Sequence, residues 1–252
     1  MIRVIALHEL RVLSRSPFAW IAAALLQLVF SWLFLAAVEQ FIQMAPATAS
    51  RTGGLSSYLV VQFLTPASIV MMLATPLICM NLIAAERQTG RFSLLASSPV
   101  SATQIVLGKF LGATTFQLSI LALSALLIAI LTAFTSLDAG HLFSAAIGLA
   151  LFITAATALT LFCSSLTNKP ALAAFISFTT LLLLWLAAAS GTTGSLAGLS
   201  PSAHLTSFMQ GILDTRDISY FLCSTGVLVY LTIWRLDSRN RQVLPTTNSV
   251  TS

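Results

Sequence analysis

Six long apolar stretches divide the chain, and none of them contains a charged residue. They are residues 18–38, 59–85, 110–134, 142–166, 171–190 and 218–234. A membrane-spanning helix needs about 20 residues, and the stretches lack the alternation of apolar and polar positions that a membrane β-barrel shows. The pattern therefore predicts an all-α integral membrane protein with six transmembrane helices.

The composition indicates that most of this chain lies in a lipid bilayer. Of the 252 residues, 57% are hydrophobic and 8% are charged, whereas soluble domains carry about 25% charged residues. If the spans alternate from a cytoplasmic N-terminus, ten of the 12 Lys and Arg residues fall on the cytoplasmic side. Because basic residues collect in cytoplasmic loops, we expect both termini in the cytoplasm, and the net charge of +5 does not require a nucleic-acid partner.

The segments around the transmembrane domain, residues 18–236, differ in character. Residues 1–17 interleave apolar and basic side chains, which predicts an interfacial helix that ends at a proline. A cleaved secretory signal is the alternative, but its apolar region would measure only about 7–15 residues. Residues 191–217 are predicted to form an outer loop, with an apolar middle that dips into the bilayer edge. Residues 237–252 have the composition of a disordered tail.

Catalytic and metal-binding motifs are absent from the sequence. It contains no GxxxxGKS/T, HExxH or GxSxG motif. Cys79, Cys163 and Cys223 lie far apart inside apolar stretches, where we expect them to be packing residues. No apolar stretch holds an Asp, Glu, Lys, Arg or His. Because ion-driven transporters usually need such groups within the membrane, we expect any uphill transport to draw its energy from elsewhere.

The apolar stretches carry neutral polar residues instead, and hydrogen bonding between helices is the favoured interpretation over the lining of a pathway. The residues concerned are Gln27, Ser31, Gln62, Asn81, Gln117, Thr157 and Thr160. Gly108 and Gly112 form a GxxxG motif at the start of the third stretch, which favours close helix packing. Pro66 and Pro76 predict bends in the second stretch.

A charged insert, residues 86–104, separates the second and third stretches on the predicted cytoplasmic side. Residues 86–89 can extend the second helix by one polar turn, and Gly90 is suited to end it. Residues 91–97 then predict a short amphipathic helix, which Pro99 ends. The apolar members of this helix are Phe92, Leu94 and Leu95.

The pattern alone leaves two roles open for this short helix. It could dock into a groove on a cytoplasmic partner and transmit the partner's movement, or it could rest on lipid headgroups. Ser101, at the end of the insert, is suited to cap the helix that leads into the third stretch.

The insert resembles the cytoplasmic coupling element of type-2 ABC export permeases. The matching residues are Glu86, Gly90, Leu94, Leu95, Pro99, Gly108 and Lys109. Arg91 and Ser93 stand where the family usually has Thr and Glu. Residues 7–20 are similar to the family's N-terminal connecting helix, with Glu9, Ser16 and Pro17 in place. Residues 204–221 resemble the outer segment of the gliding-motility subgroup. This likeness is carried by Gly211, Asp214, Arg216, Asp217, Tyr220 and Phe221.

The resemblance implies a non-catalytic permease subunit in the inner membrane of a bacterium. A separate ABC ATP-binding subunit would bind ATP and magnesium, and a second permease chain, identical or different, would complete the assembly. An auxiliary periplasmic or membrane component is a further candidate partner. Two alternatives stay open: an ion-driven secondary transporter, and a non-transporting membrane scaffold of a surface or motility machine.

The resemblance also implies roles for particular residues. ATPase coupling falls to Glu86, Gly90, Arg91, Phe92, Leu94, Leu95 and Pro99. The interfacial helix contributes Glu9, Arg11 and Pro17. The outer loop contributes Gly211, Asp214, Arg216 and Asp217.

Overall fold

The described part of the chain is built from α-helices. The computed structural model describes residues 2–44, 54–88, 101–132, 137–189, 198 and 200–243. The helices are α1 (Ile2–Arg15), α2 (Pro17–Gln43), α3 (Gly54–Leu59), α4 (Thr65–Cys79), α5 (Ala84–Gln88), α6 (Ala102–Thr132), α7 (Ala139–Leu166), α8 (Pro170–Ala189), α9 (Pro201–Met209) and α10 (Thr215–Val243), and a π-helical segment, Val60–Leu64, joins α3 to α4.

Within the described residues, six helical segments are long and apolar enough to cross a membrane. They are Pro17–Gln43, Gly54–Gln88, Ala102–Thr132, Ala139–Leu166, Pro170–Ala188 and Thr215–Ser238. The predicted all-α fold with six spans is therefore confirmed.

The second and fourth spans form the centre of the bundle. Within the apolar window of each span, 67% of the second and 61% of the fourth are buried, against 22–33% of the other four. The outer spans present large apolar side chains outward, as Leu28, Trp32 and Leu35 of α2 do, each more than 60% exposed. Such a surface suits hydrocarbon as its solvent.

The second span is irregular at two places. Pro66 has no backbone N–H and cannot continue the α-helical hydrogen-bond ladder, and the π-helical segment lies directly before it, where the Thr65 N–H donates to the Val60 carbonyl. The helix runs through Pro76 and ends at Cys79, before a turn at residues 80–83. The structure thus places irregular backbone beside Pro66, whereas Pro76 lies inside continuous helix.

A serine from α7 satisfies the backbone of the turn at residues 80–83. The Ser164 hydroxyl accepts from the N–H groups of Ile83 and Ala84, at 3.2 and 2.9 Å, and donates to the Met80 carbonyl at 3.0 Å. Irregular backbone at membrane depth needs such protein partners because lipid offers none. The turn is consequently fixed to the central helix α7.

A buried amide joins three helices in the interior. The Gln117 Oε1 of α6 accepts from the Thr75 hydroxyl of α4 at 2.7 Å, while its Nε2 donates to the Thr157 Oγ1 of α7 at 2.8 Å and to the Cys79 Sγ at 3.2 Å. The predicted interhelical hydrogen bonding is confirmed for Gln117 and Thr157. The side chain of Gln62 is exposed.

Several predictions about the ends and loops need correction. Within the predicted outer loop, the segment from 201 to 209 forms the helix α9, which packs on α7 and in which Leu205 and Phe208 are buried. The last helix continues to Val243, beyond the predicted start of a disordered tail at 237. Cys79 and Cys163 are buried as predicted, whereas Cys223 is exposed.

Candidate functional site

The N-terminal helix α1 packs directly on the first turns of α6. A Cβ added at Gly108 would lie 2.5 Å from Cγ2 of Ile5, and one added at Gly112 would lie 2.9 Å from the Ala6 carbonyl oxygen. The GxxxG motif therefore serves a close helix contact, as predicted, and its partner is α1.

An ion triad of Glu9, Glu86 and Lys109 lies at this contact between α1 and α6. The Lys109 ammonium donates to Glu9 Oε2 at 3.0 Å and to Glu86 Oε1 at 2.7 Å. Lys109 is 4% exposed and Glu9 is 8% exposed. Buried charges persist in proteins only when they are paired and hydrogen-bonded. Moving any one of the three side chains away would leave a buried charge without its partner, so the triad resists separation.

The triad connects three elements that are distant in the sequence. Glu9 comes from α1, Glu86 from α5 at the end of the second span, and Lys109 from α6 at the start of the third. Glu86 and Lys109 flank residues 89–100, which lie outside the described part of the chain. The triad therefore fixes both ends of the predicted coupling element to each other and to the N-terminal helix.

Hydrogen bonds from α5 and within the start of α6 add to this arrangement. The Arg87 guanidinium donates to the Ser165 carbonyl at the end of α7. At the start of α6, the Ser101 hydroxyl accepts from the Gln104 N–H at 3.3 Å, so the predicted cap is confirmed. A groove of about 480 Å³ opens beside the triad, between α1, the start of α2 and the end of α4.

The predicted residues of the interfacial helix occupy different environments. Glu9 does not face a lipid interface, because it is turned inward against Lys109. Arg11 is exposed. Pro17 begins α2, after Ser16 has changed the chain direction with φ −74° and ψ 121°.

Most predicted coupling residues fall outside the described part of the chain. Glu86 lies in α5 and joins the triad. Gly90, Arg91, Phe92, Leu94, Leu95 and Pro99 lie within residues 89–100.

Two residues of the site were not singled out from the sequence. Lys109 belongs to the residues that carry the resemblance, but no role was predicted for it. Its position between the two glycines of a helix-packing motif is the signal that it would be covered by a neighbouring helix. Ser164 carries no such signal, because its role depends on a turn about 80 residues earlier in the chain.

The predicted outer residues shape the connection between α9 and α10. Gly211 has φ +81°, a left-handed conformation that favours glycine. Its N–H donates to the Phe208 carbonyl and the Ile212 N–H to the Ser207 carbonyl, which is the Schellman arrangement for ending a helix. Asp214 accepts from the Arg216 N–H at 2.9 Å and so caps the start of α10.

A histidine links the two helices on this side. His204 Nδ1 lies 2.6 Å from Asp217 Oδ1, and His204 Nε2 lies 2.9 Å from the Gly198 carbonyl oxygen. The ring stacks on Tyr220 with 3.9 Å between centroids. Arg216 is exposed.

The fold and this geometry define a class: a six-span helical membrane protein whose second and third spans are tied to an N-terminal helix by buried charges. Residues 36–229 match the family described as ABC-2 family transporter protein. The match covers about three quarters of the chain, and the protein belongs to this family of ABC transporter permeases. No curated protein matches the chain significantly.

The family match covers all six spans at least in part, together with Glu86, Lys109 and the insert between them. It begins within α2, so the likeness of α1 to the family's connecting helix depends on residues 7–20 alone. Neither an ion-driven transporter nor a scaffold is favoured by the match.

Proposed function

We propose that the chain is the membrane-spanning subunit of an ATP-driven exporter and works with a separate ATP-binding subunit. The observation that carries the proposal is the ion triad. Glu86 begins the insert, Lys109 follows it, and Lys109 joins both to Glu9 of the N-terminal helix, within a chain that belongs to the ABC-2 transporter family.

The insert, residues 86–104, is the proposed contact with the ATP-binding subunit. Phe92, Leu94 and Leu95 enter a groove on that subunit, and Gly90 and Pro99 set the direction of the short helix between them. ATP and magnesium bind to the partner, whose closure displaces the insert.

The triad is the proposed route by which this displacement reaches the membrane. Lys109 contacts carboxylates from both α1 and α5. The insert therefore cannot move relative to either helix unless buried charges are separated, which is energetically costly. The Ser164 contacts tie the same region to α7. The spans therefore move as connected rigid elements.

The complete assembly contains two permease chains, identical or different, in the inner membrane of a bacterium. Both termini lie in the cytoplasm, as the distribution of basic residues predicts. The outer segment supports membership of the gliding-motility subgroup, for which an auxiliary component is a further partner.

The test is co-purification with the ATP-binding subunit. We expect Leu94→Asp with Leu95→Asp to reduce recovery of that subunit at least tenfold, since two carboxylates would enter an apolar groove. The matched control is Ile212→Asp with Leu213→Asp, two adjacent apolar residues that are exposed on the opposite side. Full recovery in a monodisperse Leu94/Leu95 variant would overturn the coupling assignment.

A further inference from the structure

The outward face of α1 carries basic and apolar side chains and no acid. The single acid of this helix is Glu9, and it is turned inward to Lys109. Arg3, Arg11 and Arg15 are exposed. The apolar members of the face are Val4, Leu7 and Val12, which are 67%, 53% and 48% exposed.

These side chains share one side of the helix. Positions 3, 7, 11 and 15 form one row with a spacing of four residues, and positions 4, 8 and 12 form the next row. Among the described residues, none of the three arginines forms a salt bridge. Three positive charges thus lie beside large apolar groups on a surface that the described chain leaves open.

The position of α1 in the fold places this face at the edge of the membrane. Only Ser16 separates α1 from the first span, and Gly108 and Gly112 hold α1 against the start of the third. Trp20 is 62% exposed at the beginning of α2, and its indole N–H donates to the Ser14 carbonyl at 2.5 Å. Tryptophan is enriched at membrane–water interfaces.

We propose that the outward face of α1 binds anionic phospholipid headgroups. The guanidinium groups of Arg3, Arg11 and Arg15 donate to phosphate oxygens, which the planar fork of arginine matches well. Val4, Leu7 and Val12 enter the boundary between headgroups and acyl chains. The large apolar side chains between the arginines favour a lipid surface over an acidic protein. The proposal is independent of the ATPase-coupling proposal.

The expected effect is a preference for anionic over zwitterionic lipid. A basic residue near an anionic surface contributes enough to change the affinity about fivefold, so three arginines predict a preference of about a hundredfold. Salt should weaken this preference, because the charges are exposed.

The experiment uses the full chain in neutral detergent, titrated separately with phosphatidylglycerol and with phosphatidylcholine, with bound lipid counted by native mass spectrometry. We expect the wild-type chain to prefer phosphatidylglycerol and the triple variant R3Q/R11Q/R15Q to lose most of that preference. The matched control K169Q/R216Q removes exposed basic residues outside α1 and should behave like the wild type. The variant R3K/R11K/R15K keeps the charge and should retain part of the preference.

Each outcome either supports or overturns the proposed lipid site on α1. An unchanged lipid preference in a stably folded R3Q/R11Q/R15Q variant would overturn the proposal. The proposal would also be overturned if the R3Q/R11Q/R15Q variant kept its lipid preference and lost the ATP-binding subunit. The outward face of α1 would then be a protein-docking surface. Loss of the lipid preference with the ATP-binding subunit retained supports the lipid site.

Discussion

Replacement of Lys109 by methionine is the most direct perturbation of the ion triad. Methionine has a similar length and no charge, so the substitution leaves the carboxylates of Glu9 and Glu86 facing each other without the ammonium between them. Removal of one partner from a buried ion pair costs about 3–5 kcal/mol. The Glu86 side chain is 26% exposed and can be hydrated, so we expect a value of about 3 kcal/mol.

Thermal unfolding of the full chain in neutral detergent measures this loss. For a domain of 150–250 residues, 1 kcal/mol corresponds to about 2–4 °C in Tm, so Lys109→Met should lower Tm by about 6–12 °C. Lys169→Met is the matched control, because Lys169 is exposed. It should leave Tm within about 1 °C of the wild-type value.

A second variant separates charge from packing. The triple substitution E9Q/E86Q/K109M removes all three charges, and buried ion pairs replaced as a whole are often neutral for stability. We therefore expect it to recover most of the lost Tm. If Lys109→Met unfolds at the same temperature as Lys169→Met, the triad does not hold the three elements together, and the proposed route of movement fails with it.

Three further substitutions test the packing around this site and in the outer segment. Gly112→Ala should destabilise by about 1–3 kcal/mol, because its Cβ would meet the Glu9 Cβ at 2.8 Å and the Ala6 carbonyl at 2.9 Å. Gln117→Leu should cost about 1–2 kcal/mol through lost interhelical hydrogen bonds. Gly211→Ala should cost about 1 kcal/mol, since its φ is +81°.

Thermal unfolding measures all three, with a control for each kind of change. Gly226→Ala adds a Cβ where nothing lies within 4 Å and should not lower Tm. Gln62→Leu replaces an exposed amide within the second span and should not lower Tm either. A Gly112 or Gly211 variant as stable as Gly226→Ala would contradict the packing described for α1 or for the end of α9. A Gln117 variant as stable as Gln62→Leu would show that the buried amide does not join the helices.

Sequence reasoning located the spans because apolar length is a local property. Each of the six stretches coincides with a helical segment, and the limits of these segments differ from the predicted ones by up to eight residues. The GxxxG motif and the cap at Ser101 were also predictable, since both depend on residues close together in the chain. The Schellman turn at Gly211 was not predicted, because no helix was expected to end there.

The ion triad could not be predicted from local patterns, because Glu9 and Lys109 are about 100 positions apart in the chain. Glu9 was expected at a lipid interface, as its neighbours Arg11 and Leu10 are compatible with that position. Only the three-dimensional contact with Gly112 shows that this side of α1 is covered. The same limit applies to Ser164, whose hydroxyl satisfies a turn in another span. Local sequence patterns identify candidate residues, and the three-dimensional fold determines which of them are in contact.

Purification of the chain from its native membrane in mild detergent, followed by mass spectrometry, shows whether the chain works with an ATP-binding subunit. We expect recovery of an ATP-binding subunit with a phosphate-binding P-loop, in near-equal amount to the permease chain. Recovery of the chain alone, as a stable oligomer without any ATP-binding protein, would contradict it.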